Sequence, residues 1–179
     1  MSRMQRPVHV VGVGMIPFTK PGASDPYPVM GARAARLALE DAGVPYDDVQ
    51  QAYVGYVYGD STAGQAALYG VGLTGIPVFN VNNNCSTGSS ALFLARQAVE
   101  CGVVECALAL GFEQMQPGAL KGTWHDRPSP LDRFVETMTA YQGYEASAPR
   151  AAPLPHTPGQ QSWSRQNAPQ ATARHATCS

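Results

Sequence analysis

The chain has 179 residues, which allows one domain of ordinary size. Charged residues make up only 14% of it and the formal net charge is −1, which argues against a nucleic-acid-binding surface and against electrostatic attachment to an anionic membrane. No apolar run approaches the roughly 18 residues needed to span a bilayer, and residues 1–7 lack the apolar core of a signal peptide. A cytoplasmic protein without membrane insertion is therefore expected.

Short apolar runs alternate with helical patterns along much of the chain. Residues 8–13 form a β-branched run with a glycine near its end, which is typical of a strand buried on both faces and predicts a first, central strand. Asp25 and Pro26 predict the start of a helix, and Gly43 with Pro45 predicts its end. The later predictions are strands at 52–58, 76–81 and 106–111, helices at 61–75 and 86–101, and a helical turn at 131–138. This alternation predicts an α/β layered fold with a largely parallel sheet.

The last part of the chain differs in composition. Residues 151–179 contain no Asp or Glu, and Leu154 is their only member of the Val, Ile, Leu and Met set. Such a segment cannot bury enough apolar surface to offset the entropy lost on ordering it, so it is predicted to be disordered. The predicted organisation is an α/β core over 1–116, a loop and insert region over 117–150, and this tail.

Gly12 and Gly14 follow the first predicted strand, where paired glycines can cradle the pyrophosphate of a dinucleotide. The third glycine of that fingerprint is missing, and Pro17 occupies its place. The pair is therefore interpreted as a turn, and no bound cofactor is predicted.

The segment that carries most chemical information surrounds Cys85. A predicted strand runs into three asparagines, then into Cys85, and then into a helix of small residues. At the amino end of a helix, unpaired N–H groups and the helix dipole favour negative charge, and the thiolate is the nucleophilic form of cysteine. The alternative is a buried structural cysteine. The candidate site is Cys85 as nucleophile, with a supporting turn and helix N-terminus at Asn82, Asn83, Asn84, Ser86 and Gly88.

Several separate blocks of the sequence, in the right order, resemble the lipid-transfer-protein branch of the thiolase superfamily, which includes the thiolase domain of sterol carrier protein X. The similarity extends from about residue 7 to 118 and more loosely to about 148. The blocks are Val-Val-Gly-Val-Gly-Met (10–15), Gly-Tyr-Val-Tyr-Gly-Asp-Ser-Thr (55–62), Gly-Leu-Thr-Gly-Ile-Pro (72–77), Asn-Val-Asn-Asn-Asn-Cys-Ser-Thr-Gly-Ser (80–89) and Leu-Ala-Leu-Gly-Phe-Glu (108–113). The resemblance implies one half of a thiolase-like layered fold, with a mostly parallel mixed sheet and helices on both faces.

The resemblance also implies a reaction. Cys85 would attack the 3-keto carbon of a 3-oxoacyl-CoA, retain the shortened acyl group as a thioester and release acetyl-CoA or propionyl-CoA. Free coenzyme A, a substrate and not a bound cofactor, would then remove the acyl group. Asn82 matches an asparagine found three positions before the nucleophile in many thiolases and is given a turn-holding role only. Family members are homodimers.

In the family, the catalytic histidines, a second acid–base cysteine and the oxyanion donors lie in a C-terminal half that no segment of this sequence resembles. His9 is interpreted as a strand residue, and no motif places the other histidines, His125, His156 and His175, beside Cys85. The cysteine spacing is not that of a zinc site, so no metal is predicted. Cys101 and Cys106 are interpreted as packing residues and Cys178 as incidental. An acyltransferase-type thiolase fragment, inactive alone, is therefore expected.

Two other functions remain open: a steroid side-chain aldolase of the same superfamily, and a non-catalytic acyl-CoA or lipid-binding subunit. The retained cysteine favours thiolysis over the aldolase. The abrupt change after residue 148 is what a truncated gene or a shifted reading frame would give. The last four residues, Ala-Thr-Cys-Ser, carry no peroxisomal signal, which leaves the cytoplasm as the expected location.

Overall fold

The computed structural model of the chain describes residues 6–117, 126 and 128–142. Residues 6–117 belong to one compact unit, and 126 and 128–142 belong to a second. The tail predicted over 151–179 lies outside the described residues, as do His125, His156, His175 and Cys178. None of the helices in the described part is long and apolar enough to cross a membrane.

The described elements alternate between helices and strands. They are α1 (Tyr27–Ala42), β1 (Gln51–Gly55), α2 (Ala63–Tyr69), β2 (Val78–Val81), α3 (Thr87–Glu100), β3 (Ala107–Gly111) and, in the second unit, α4 (Asp132–Gln142). A short 3-10 turn, Tyr46–Asp48, precedes β1. The three strands form one sheet in the order β2-β1-β3, and both pairings are parallel. The predicted α/β fold with a largely parallel sheet is therefore confirmed.

Helices cover both faces of the sheet because the side chains of β1 alternate between them. Ala52 and Val54 pack in a core cluster with residues of α1, α2 and β3. Tyr53 packs on the opposite face with the small side chains of α3, which lie at helical spacing: Ala91, Ala95 and Ala98. Among the described helices of this unit, α3 therefore covers one face and α1 with α2 cover the other.

The predicted first strand is wrong. Residues 8–13 form no strand, and β1, whose two edges pair with β2 and β3, is the central strand. The segment lies along α1 instead, because the backbone N–H of Val13 donates to the Asp41 carboxylate at 2.8 Å. A Cβ on Gly12 would come within 2.4 Å of the carbonyl oxygen of Ala38. Val13 is 69% exposed and Val10 is 64% exposed, so neither is the doubly buried side chain that the pattern predicted.

The bounds of the helices follow their end signals. Pro26 is the N-cap of α1, Asp25 accepts no capping hydrogen bond from the helix, and Gly43 ends the helix with a φ of 64°. The predicted helix at 61–75 shortens to α2, which ends at Tyr69 with Gly70 as its C-cap. The predicted helix at 86–101 becomes α3, and the predicted turn at 131–138 extends into α4.

Two tyrosines give the stability of the first unit a dependence on alkaline pH. Burial raises the pKa of Tyr46, and the neighbouring Thr74 side chain acts more weakly in the opposite direction. Burial also raises the pKa of Tyr53. A tyrosine with a raised folded-state pKa contributes stability that is fully present below about pH 10 and is lost as pH rises through the folded-state value.

We therefore expect the free energy of unfolding to fall as pH rises from about 9 to about 11, and to fall less steeply in Tyr46→Phe and Tyr53→Phe variants. The slope against pH is read from urea denaturation at a series of pH values. Tyr69→Phe, which alters an exposed ring, is the matched control and should keep the wild-type slope. Equal slopes in all four proteins would contradict the assignment of the alkaline loss of stability to Tyr46 and Tyr53.

Candidate active site

The carboxyl ends of the three strands meet at one edge of the sheet. Gly55 at the end of β1 is in register with Val81 of β2 and with Gly111 of β3. Helix α3 begins just beyond this edge, after the segment that leaves β2. Ligand sites of open parallel α/β sheets lie beyond the carboxyl ends of their strands, so this edge is the candidate site.

The amino end of α3 packs directly on two glycines. A Cβ on Gly55 would lie 2.5 Å from the carbonyl oxygen of Thr87 and 2.9 Å from the amide nitrogen of Gly88. A Cβ on Gly111 would lie 3.6 Å from the Cα of Gly88. The absence of side chains at the ends of β1 and β3 therefore leaves the space that the first turn of α3 occupies.

Residues 82–86, which we call the nucleophile turn, connect β2 to α3. Asn84 has a φ of 48°, in the left-handed region that asparagine tolerates better than most residues. Its backbone N–H donates to the side-chain oxygen of Asn82 at 3.2 Å, and the N–H of Ser86 donates to the carbonyl of Asn83 at 3.1 Å. The turn is thus held by an asparagine side chain and by the backbone.

Cys85 is exposed, and its thiol lies 3.7 Å from the side-chain oxygen of Asn84. It directly precedes Ser86, the N-cap of α3. The Ser86 hydroxyl donates to the carbonyl of Asn83 at 2.8 Å, and no side chain among the described residues caps the helix. The positive end of the α3 dipole is therefore not neutralised by a capping side chain beside the thiol.

The nucleophile turn is also bonded to the first two turns of α3. The Thr87 hydroxyl donates to the carbonyl of Val81 and accepts from the backbone N–H of Asn83. The Asn83 side chain donates to the hydroxyl of Ser90 at 2.8 Å. Gly88 has no atom within 4 Å of where a Cβ would lie, so the helix is open at that point.

Glu113 fixes a second segment at the same edge. Its two carboxylate oxygens accept from the backbone N–H groups of Val57 and Tyr58, at 2.9 and 2.8 Å. These bonds explain why β1 ends at Gly55 although its sequence pattern continues to Tyr58. The neighbouring Gln114 accepts from the backbone N–H of Tyr27 at 2.9 Å, which ties the same segment to the start of α1.

The structure does not bring the other predicted candidates into this site as a group. Cys101 is exposed at the C-cap of α3, so its interpretation as a packing residue is wrong, whereas Cys106 is half-buried against the core. His9 is exposed within the segment that lies along α1. Gly14 would place a Cβ 2.4 Å from the Ala34 carbonyl, so this glycine packs against α1. In the described ranges, no three His, Cys, Asp or Glu side chains are grouped as metal ligands.

Sequence reasoning missed Thr87, Gly55, Gly111 and Glu113. Gly55 lies inside the predicted strand at 52–58 and Gly111 ends the one at 106–111, and a glycine within a strand pattern, which often marks a close approach of another backbone, was the available signal. The roles of Thr87 and Glu113 depend on which strands pair and where each ends, which no local pattern contains.

Residues 8–129 match the family described as thiolase, N-terminal domain. This match spans more than half of the chain, and it agrees with the layered α/β unit and with a cysteine at the start of α3. The chain therefore belongs to the thiolase family.

Within that family the chain is similar to sterol carrier protein 2 of Gallus gallus, with 57% identity over 148 residues. The alignment covers 82% of this chain and 27% of that protein. It is also 45% identical to non-specific lipid-transfer protein-like 2 of Caenorhabditis elegans, over 86% of this chain and 38% of that protein. The chain thus spans between a quarter and two fifths of the length of these relatives.

A solved structure of β-ketoacyl-[acyl carrier protein] synthase III from Thermus thermophilus aligns with 59% of this chain and 33% of its own. The TM-score is 0.46 and the sequence identity is 22%, values too low to add to the family assignment.

Proposed function

We propose that this chain provides the nucleophile of a 3-oxoacyl-CoA thiolase and that Cys85 is that nucleophile. The observation that carries the proposal is the position of Cys85 in a thiolase-family chain. Its thiol is exposed at the carboxyl edge of the sheet, directly before the uncapped amino end of α3. The thiol therefore lies beside the positive end of the α3 dipole, a position in which nucleophilic cysteines occur.

The proposed reaction has two acyl-transfer steps. The Cys85 thiolate adds to the 3-keto carbon of the substrate, the bond between C2 and C3 breaks, and its electron pair passes to C2. Protonation of C2 releases acetyl-CoA or propionyl-CoA and leaves an acyl thioester on Cys85. The thiolate of coenzyme A then attacks this thioester, and Cys85 leaves as a thiolate. Coenzyme A is a substrate here, and the proposal includes no bound cofactor.

The substrate class is supported by relatives whose names specify coenzyme A esters. The benzoylsuccinyl-CoA thiolase subunit BbsB of Thauera aromatica is 32% identical over 123 residues, which cover 68% of this chain and 31% of that protein. The acetyl-CoA acetyltransferase of Pseudomonas aeruginosa is 32% identical over 124 residues. An acyl-CoA is therefore the substrate we propose.

The proton transfers need an acid and a base besides Cys85. Within the described ranges, His9 is the one histidine, and it lies in the segment along α1 and not in the nucleophile turn. We propose that these groups lie in the part of the relatives' length that this chain does not span, and that the 179-residue chain alone carries out no turnover. Homodimer formation is part of the proposal, and the exposed Leu92 and Phe93 on α3 support association. A cytoplasmic location is also part of the proposal.

A second candidate is a non-catalytic acyl-CoA or lipid-binding subunit. It is favoured by the lipid-transfer name of the Caenorhabditis elegans relative. In that case Cys85 would have no role as an acyl acceptor, which separates the two candidates in one experiment.

The test compares two exposed thiols of the same molecule. Iodoacetamide at about pH 7 is expected to modify Cys85 about two- to fivefold faster than Cys101, because Cys85 lies at the positive end of α3 and Cys101 lies at its negative end. Rates are measured by mass spectrometry of the modified peptides, with Cys85→Ala to confirm the peptide assignment. Equal rates, or a faster reaction of Cys101, would contradict a prepared nucleophile.

A second measurement tests the acyl transfer. An acyl-CoA, which can acylate Cys85 by reversal of the second step without protonation of a carbon, should leave an acyl mass increment on Cys85 that is removed by hydroxylamine and absent from Cys85→Ala. The isolated chain should show no CoA-dependent turnover of a 3-oxoacyl-CoA. Binding without any acyl increment would favour the lipid-binding candidate, and sustained turnover would contradict the need for further acid–base groups.

A further inference from the structure

Thr87 differs from every other polar residue near the proposed nucleophile because it is buried. It is 7% exposed and is the one buried polar residue in the described part of the chain. The asparagines of the nucleophile turn, together with Cys85 and Ser86, are exposed. A buried hydroxyl without hydrogen-bond partners lowers the stability of the fold. When its hydrogen bonds are made, it holds its partners in defined positions.

The two bonds of the Thr87 hydroxyl connect the strand to the turn. The hydroxyl donates to the carbonyl of Val81, the last residue of β2, at 2.5 Å. It accepts at 3.2 Å from the backbone N–H of Asn83, two residues before the cysteine. One donor and one lone pair of the buried hydroxyl are thus used. One side chain of α3 therefore bonds both to the end of β2 and to the backbone within the nucleophile turn.

The placement of Thr87 is itself fixed by close packing. Its carbonyl oxygen lies 2.5 Å from where a Cβ on Gly55 would be, so the first residue of α3 rests on the central strand. Side-chain rotation at a buried β-branched residue is restricted as well. Thr87 therefore packs on the central strand through its backbone and bonds to the exposed nucleophile turn through its side chain.

We propose that Thr87 is a positioning residue that holds the nucleophile turn so that the Cys85 thiol stays at the amino end of α3. This rests on the proposed function, since it concerns the reactivity of Cys85. Thr87 does not contact the substrate. Without its hydroxyl, the N–H of Asn83 loses the acceptor described here, the carbonyl of Val81 keeps only the N–H of Tyr56 at 3.4 Å, and the turn is no longer tied to α3 at this point.

The experiment uses the full chain with Thr87→Val, which keeps the shape but removes the hydroxyl, and Thr87→Ser, which keeps the hydroxyl. The readout is the ratio of the iodoacetamide rates of Cys85 and Cys101. We expect Thr87→Val to lower this ratio about two- to fivefold, toward equality, and Thr87→Ser to retain it. Leu68→Ala, a cavity variant in the core on the opposite face, is the control for lost stability and should keep the wild-type ratio.

The outcomes separate the inference from the proposed function. A wild-type ratio near one refutes the prepared nucleophile, whatever the variants do. A raised wild-type ratio that Thr87→Val preserves refutes the positioning role alone, as does an equal fall in Thr87→Ser. If Thr87→Val does not fold, Thr87→Ala, with its higher helix propensity, replaces it. Loss of folding in both variants also overturns the inference, because Thr87 would then serve the fold itself.

Discussion

Replacing Gly55 with alanine is expected to lower the free energy of unfolding by about 3 kcal/mol, the upper part of the range for overpacked interiors. The added Cβ would lie 2.5 Å from the carbonyl oxygen of Thr87 and 2.9 Å from the amide nitrogen of Gly88. Both atoms belong to the backbone of α3, so no side-chain rotation relieves the overlap. The helix must move away from the sheet, and its contacts between Tyr53 and Ala91 loosen.

The measurement is the urea denaturation midpoint, read together with the selectivity of iodoacetamide for Cys85. Both should fall in Gly55→Ala, because the overlap displaces the amino end of α3. Gly88→Ala is the matched control: the same change on the facing turn of α3 meets no atom outside its own helix within 4 Å. It should keep or slightly raise the stability, since alanine is a better helix former than glycine. Equal midpoints for the two variants would contradict the packing described for Gly55.

Elements with strong local signals were predicted well from the sequence. The limits of α1 follow from Pro26 and from Gly43, whose positive φ is a property of the residue itself. The end of α3 follows in the same way from Gly102, with a φ of 70°. These signals act within one turn of the chain and therefore survive in any tertiary context.

Residues 8–13 mark the limit of that reasoning. A β-branched run indicates that a segment has extended backbone and apolar side chains, but it does not identify the partner that covers them. The segment packs against α1 and not in the sheet. The N–H of Val13 donates to the Asp41 carboxylate, and Gly12 lies close to the backbone of the helix. The central position belongs to β1 because both of its edges are paired.

The candidate site divides in the same way. Cys85 and the asparagines were found because an asparagine turn, a thiol and a helix start are adjacent in sequence. Gly55 and Gly111 were not, because their role depends on the parallel register that places them side by side. The contact between Val57 and Glu113 joins residues 56 positions apart, which no pattern of neighbouring residues contains.

Glu113 gives the second large expected effect. Its carboxylate accepts from two backbone N–H groups, those of Val57 and Tyr58, and hydrogen bonds to charged groups contribute more than neutral ones. Glu113→Ala leaves both half-buried donors without this acceptor and is expected to lower the free energy of unfolding by about 2 to 3 kcal/mol. Glu113→Gln keeps one carbonyl oxygen, which can hold one of the two donors, so its loss should be about half as large.

Glu105→Ala is the matched control because Glu105 is also an acidic residue next to β3. Its carboxylate pairs with Arg6 at 2.5 Å, but both side chains are more than half exposed. Such pairs contribute about 0 to 1 kcal/mol, so this variant should stay near the wild-type midpoint in urea. Amide hydrogen exchange distinguishes the cause: Glu113→Ala should lose protection at Val57 and Tyr58, whereas Glu105→Ala should not. Retained protection at both amides would mean that the segment after β1 is held at the site edge by packing rather than by the Glu113 carboxylate.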